Sequence, residues 1–126
     1  MAIQLTTTGI NTMLSSFLGS EGQILKLYSN DVDPEVSTTV TQFTEFTGDG
    51  YSAKTLESTN WSVAAGVATT TPQTWEFNAA AGDVYGYYLV GASTGNLLAA
   101  EKFDNGPYTV AVDGDKITVS ITLSLA

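Results

Sequence analysis

The sequence predicts an all-β fold: an antiparallel β-sandwich, jelly-roll-like, with one short N-terminal helix. Three observations predict it. At the C-terminal end Ile117, Val119, Ile121, Leu123 and Leu125 alternate with Thr118, Ser120, Thr122 and Ser124, the period of a strand with one buried face. Turn signals recur at short intervals, at Gly48-Asp49-Gly50, Ala64-Ala65-Gly66, Ser93-Thr94-Gly95-Asn96, Asp104-Asn105-Gly106-Pro107 and Asp113-Gly114-Asp115. Helical spacing is convincing in one stretch alone, Thr8 to Leu18. Roughly seven or eight strands result, and their apolar faces need a second layer to cover them.

A length of 126 residues fits a single domain over 1–126 with one core, and 43% hydrophobic residues can fill it. Charged residues make up only 13%, so Thr, Ser, Gly and Ala dominate the surface, a composition suited to static packing against a neighbour. The net charge is -9. The basic residues are the scattered lysines Lys26, Lys54, Lys102 and Lys116, which speaks against nucleic acid and an anionic membrane as partners. Met1 to Thr8 lacks the basic and apolar regions of a secretory signal, and no apolar run is long enough to span a bilayer. Synthesis in a cytoplasm followed by assembly is the expectation.

Taken in order, residues 1–8 read as an N-terminal arm bearing Ile3 and Leu5, free to add a strand to a neighbouring sheet. Residues 8–18 read as the helix. Ile10, Met13, Leu14, Phe17 and Leu18 form its apolar stripe, Thr8 is its expected cap and Gly19 its expected C′ glycine. Gln23 to Tyr28 is the first strand, and Pro34 marks the loop after it. Val40 to Phe46 alternates loosely, as an edge strand would. Trp61–Val63 is a short strand, Val67–Thr71 is extended or loop, and Gln73–Phe77 follows with Trp75 and Phe77 directed to the core. Val84 to Val90 carries large residues on both faces, so it reads as one central strand. Gly86 within it marks a bulge or a close backbone approach. It forms a hairpin with Leu97–Phe103. Tyr108–Val112 and the strand from Lys116 onward form a second hairpin across Asp113-Gly114. The predicted core is Trp75, Phe77, Leu89, Phe103, Ile117, Val119, Ile121 and Leu123.

Catalytic chemistry is thinly represented. The chain has no histidine and no cysteine, which removes the usual general base, zinc ligands, disulfides and His- or Cys-containing triads. A carboxylate pair is the remaining option. Glu76 and Glu101 are its best candidates, though a solvated Glu76 and a structural Glu101 are the simpler readings. Asp31, Asp33 and Glu35 are spaced like a cation loop but lack the glycine and the final bidentate glutamate of a calcium-binding hand. The expectation is no enzyme, no metal and no cofactor. Tyr85, Tyr87 and Tyr88 cannot all lie on one side of a strand; packing into the core is the simpler reading, and a ring facing a ligand or a neighbour is the alternative.

One long stretch carries a family likeness. It runs from Val84-Tyr85-Gly86-Tyr87-Tyr88-Leu89-Val90 through Thr94-Gly95-Asn96-Leu97-Leu98-Ala99-Ala100-Glu101-Lys102-Phe103, Gly106-Pro107-Tyr108-Thr109-Val110 and Gly114-Asp115-Lys116-Ile117 to Ile121-Thr122-Leu123-Ser124-Leu125. Leu25-Lys26-Leu27-Tyr28-Ser29-Asn30 and Gly50-Tyr51-Ser52-Ala53-Lys54-Thr55-Leu56 fit the same pattern upstream. The chain resembles small structural proteins of tailed bacteriophages, with Lys102 where relatives tend to carry arginine. The resemblance implies a virion component, with a capsid decoration or cement protein as the first reading. Its partners would be the major capsid protein and itself, as a homotrimer on the outer surface of the head. Ile3, Leu5, Ile10, Met13, Leu14, Phe17, Tyr85, Tyr87 and Tyr88 are the expected subunit or capsid contacts. The alternative is a tail- or fibre-associated glycan-binding module, which would show coplanar exposed rings.

Overall fold

The computed structural model describes residues 3–124. Helix α1 (Thr7–Gly19) comes first. Eleven strands follow: β1 (Gln23–Tyr28), β2 (Lys54–Leu56), β3 (Trp61–Ala64), β4 (Val67–Thr70), β5 (Gln73–Glu76), β6 (Gly82–Val84), β7 (Gly86–Gly91), β8 (Leu97–Lys102), β9 (Tyr108–Val110), β10 (Lys116–Val119) and β11 (Thr122–Ser124). All pairings are antiparallel, in four sheets ordered β2-β1-β7-β8, β11-β4-β3, β10-β5 and β6-β9. The fold is therefore mixed, one helix with four antiparallel sheets, none closed into a barrel and none forming a clear sandwich with another.

The main core draws on several sheets at once. Leu25 and Leu27 of β1, Leu56 of β2, Trp75 of β5, Val84 of β6, Tyr87 and Leu89 of β7, Val110 of β9 and Ile117 and Val119 of β10 meet Phe46, Phe77 and Ile121 in one cluster. Trp75, Phe77, Leu89, Ile117, Val119 and Ile121 are buried, and Phe103 and Leu123 lie half-buried against them. The opposite face of the four-stranded sheet is covered too. Tyr28, Phe43, Tyr88 and Val90 pack there, with Phe43 4.7 Å from the rings of both tyrosines. All of β7 is buried as a result, which accounts for its large side chains on both faces.

The structure corrects several boundaries for physical reasons. The C-terminal alternation continues, with Ile117, Val119 and Ile121 inward, but the strand is two strands. β10 pairs with β5 and β11 with β4, so the chain passes from one sheet to the next at Ser120-Ile121. Buried Thr70 clamps the crossing: its hydroxyl accepts from the Ile121 amide (2.9 Å), and its own amide donates to the Ile121 carbonyl (3.0 Å). Leu125 lies outside the described residues. Val84–Val90 is likewise divided, β6 pairing with β9 while β7 pairs with β1 and β8. Gly86 begins β7 because a Cβ there would collide with the Glu101 carbonyl and the Tyr28 ring.

Val40 to Phe46 is no edge strand. Val40–Gln42 forms a 3-10 turn, and only Glu45 bridges to Tyr28. Its two phenylalanines serve opposite faces of the sheet, Phe43 the aromatic cover and Phe46 the main core. The Asp113-Gly114 turn exists, with Gly114 at φ +93, but it joins no hairpin. Its peptides pair instead with Phe77, Gly114 donating to the Phe77 carbonyl (2.7 Å) and Phe77 to that of Asp115 (2.8 Å).

Candidate interaction surface

The helix starts one residue earlier than its spacing implied, because Thr6, not Thr8, is the cap. Thr6 is extended and its hydroxyl accepts from the Gly9 amide (3.1 Å). Thr8 lies inside the helix, where its carbonyl accepts the Thr12 hydroxyl (3.0 Å). Gly19 closes the last turn, and Ser20 follows in right-handed geometry, so no left-handed C′ glycine is used. Ile10, Leu14 and Leu18 pack on Ala68, with Trp61, Val63 and Leu123 around them. The helix thus covers the three-stranded sheet.

A buried amide locks it there. Gln23 Nε2 donates to the carbonyls of Leu18 (3.1 Å) and Glu21 (2.6 Å), and its Oε1 accepts from Trp61 Nε1 (2.9 Å). Replacing Gln23 with alanine strands the indole N–H and the helix-end carbonyl, at ~1–3 kcal/mol for an unsatisfied buried group. Thermal unfolding should fall accordingly, and hydrogen exchange should accelerate in α1 before it does in β7. Unchanged helix protection in that variant would refute the lock.

Outside, large apolar side chains of the arm and helix stand among exposed Thr and Ser. Ile3 (93% exposed), Leu5 (51%), Met13 (49%) and Phe17 (42%) are four of the seven large hydrophobic residues exposed among the described residues. Residues 1–20 hold no charged side chain. Met13, Leu14 and Phe17 line a cavity of about 350 Å³ with Leu98, Leu123 and Ser124. Leu98 has no sequence signal for this role. It enters through an irregularity in the β7–β8 register, where Leu89 faces Ala99 but Val90 faces Leu97.

The other expected contacts are engaged within the chain. Ile10 and Leu14 are buried under the helix. Tyr88 is buried and stacked on Phe43, 7° from parallel. Tyr87 is buried and donates its hydroxyl to Glu101 (3.1 Å). Tyr85 is half-buried against the aromatic cover. Ile3, Leu5, Met13 and Phe17 are therefore the members of the expected set whose side chains are free to meet a partner.

The acidic residues assemble no catalytic pair. Glu76 is exposed opposite Lys116 in the β5–β10 ladder, whereas Glu101 sits on β8 beneath Tyr87. Lys102 Nζ donates to Asp31 (2.5 Å) and Asp33 (3.0 Å), and these two hydrogen bonds hold its ammonium above the usual lysine range. Among the described residues no group of three or more potential ligands is arranged for a metal, and no helix is long and apolar enough to cross a membrane. An open cleft of about 450 Å³ contains Phe103, Tyr108, Asp115 and Lys116. Its two rings lie 5.0 Å apart and are tilted by 45°, so they make no flat sugar-stacking platform. No protein-family model, curated protein or solved structure matches this chain.

Proposed function

We propose that this chain is a virion structural protein, a capsid decoration or cement protein that binds between subunits of the major capsid protein on the outer surface of a phage head. The observation that carries the reading is the uncharged surface of the arm and helix, where exposed Ile3, Leu5, Met13 and Phe17 stand among Thr and Ser, set on a body of net charge -9. Such a surface needs a partner to cover it, and the acidic remainder keeps free copies apart in solution. The strand-and-turn likeness to phage structural proteins supports the same reading. So does a core shared between the four-stranded sheet and the smaller sheets, which is what a jelly-roll-like sandwich would build.

The mechanism is linkage. A protein that binds the assembled, expanded shell and not its precursor stabilises that state by mass action. Repetition over many sites multiplies a modest contact energy. No catalytic step, cofactor, nucleic acid or membrane enters this reading, and the protein acts as a homotrimer.

Particles stripped of this protein provide the test. Purified protein should return to them in fixed stoichiometry on co-sedimentation and raise the temperature at which they release their contents. Protein that ignores the shell but is retained by host surface polysaccharide would replace this reading with the glycan-binding one.

A further inference from the structure

Strand β8 is the outer strand of the four-stranded sheet, paired among the described residues with β7 on one side only. It is six residues long and begins Leu97-Leu98-Ala99-Ala100. Glu101 and the ion-paired Lys102 guard its far end, whereas Leu97–Ala100 carries no charge and can template another strand. The Phe103 amide donates to the Tyr85 carbonyl (2.9 Å). Antiparallel alternation then turns the peptide groups of Glu101 toward β7 and those of Ala100 and Lys102 outward.

Two cavities adjoin this edge, the first touching β8 at Leu98. One is the apolar cavity of Met13, Phe17, Leu98 and Leu123. The other, about 530 Å³, lies between Leu97–Ala100 and the loop carrying Pro34, Glu35, Val36 and Thr38. A free edge adjoining two grooves is the geometry of strand addition: main-chain bonds form along the edge, and alternate side chains enter opposite grooves.

We propose that β8 receives the N-terminal arm of a second copy of this chain. Ile3-Gln4-Leu5 adds to the edge as a strand, with Ile3 and Leu5 in the apolar groove and Gln4 toward Thr38 and Glu35. The pattern fits, since the arm alternates apolar, polar, apolar, and both apolar residues are exposed in the single chain. Charge fits as well: the arm brings no charged side chain to an acidic partner. Within the single chain the arm serves neither groove: Ile3 and Leu5 line neither one and stand exposed. The contact is heterologous, arm to edge, and so closes into a ring when the rotation permits. This deepens the self-association in the proposed function and rests on that part of it, but not on shell binding.

The absence of native cysteine makes a direct test possible. Gln4→Cys protein is mixed with Val36→Cys protein and oxidised; both positions are exposed and outside the core. A disulfide between the two chains is expected, and it should disappear when Leu5→Asp is added to the first. Leu5→Asp alone should leave the circular dichroism spectrum intact and lower the solution mass to that of one chain. Wild-type mass in Leu5→Asp, a monomeric wild type, or a Gln4→Cys/Val36→Cys double variant that closes only within one chain would overturn the proposal. Co-sedimentation of Leu5→Asp with stripped particles is scored separately. Shell binding by a variant that keeps its multimeric mass leaves the cement reading standing while this contact fails.

Discussion

Replacing Trp75 with alanine is expected to remove ~3–5 kcal/mol of stability, the usual cost of truncating a buried large aromatic side chain. Native domains have only about 5–15 kcal/mol to lose. The indole is buried in the main core. Its Nε1 donates to the Ser52 carbonyl (2.7 Å), its ring stacks 6.1 Å from Tyr51, and Lys54 Nζ sits 5.3 Å from its centroid. Alanine leaves a cavity between sheets and a carbonyl that has lost its donor, and the two losses reinforce each other. Urea unfolding should show a much lower midpoint with a similar slope. Val112→Ala, at an exposed position, should change stability by no more than about 0.5 kcal/mol. A Trp75→Ala midpoint as mild as that of Val112→Ala would mean the core is not organised around this ring.

The parts of this fold that depend on local pattern were legible in the sequence, and those that depend on partner choice were not. Strand β1 begins and ends where its residues predict, and Ile117, Val119 and Ile121 point inward as their alternation requires. Period 2 records which face is buried but not which strand lies alongside. So nothing at Ser120-Ile121 announces the passage from β5 to β4, because alternation continues unbroken through the crossing. Tyr85 hides a similar break, since a strand buried on both faces and two successive strands have the same apolar composition. Phe43 and Phe46 show the reverse case. Their spacing fits a poor strand, whereas their real task is to cap the two faces of a sheet formed elsewhere in the chain. The candidate surface divides the same way. Met13 and Phe17 follow from the helix period, but Leu98 joins them only through an irregular strand register.

Alkaline solution is expected to unfold the protein between pH 10 and 12, through its tyrosines. Burial raises Tyr28 and Tyr88 from the ordinary value of 10.0 to about 12. Charge adds to this at Tyr88 from Glu45; at Tyr28, Lys102 opposes it while Asp33, Asp31 and Glu101 reinforce it. Tyr51 and Tyr87 are also raised, first by burial, and each donates its hydroxyl to a carboxylate: Tyr51 to Glu45 (2.8 Å) and Tyr87 to Glu101 (3.1 Å). The folded state therefore binds these protons more tightly than the unfolded chain does. Their stabilising contribution is complete below pH 10 and declines as the pH rises toward the folded values. Lys102 acts in the same sense, because its charged form is favoured by Asp31 and Asp33 and is lost only at high pH. Far-UV circular dichroism should stay native to about pH 10 and then collapse cooperatively, with tyrosinate absorbance from these rings rising in the same step. Tyr88→Phe removes one ionisable group from beneath Phe43 and should move the midpoint upward. If Tyr28 and Tyr88 instead titrated near pH 10 while the far-UV signal stayed native, the aromatic cover over β1 and β7 would be open to water, and Tyr88 would be available to a partner after all.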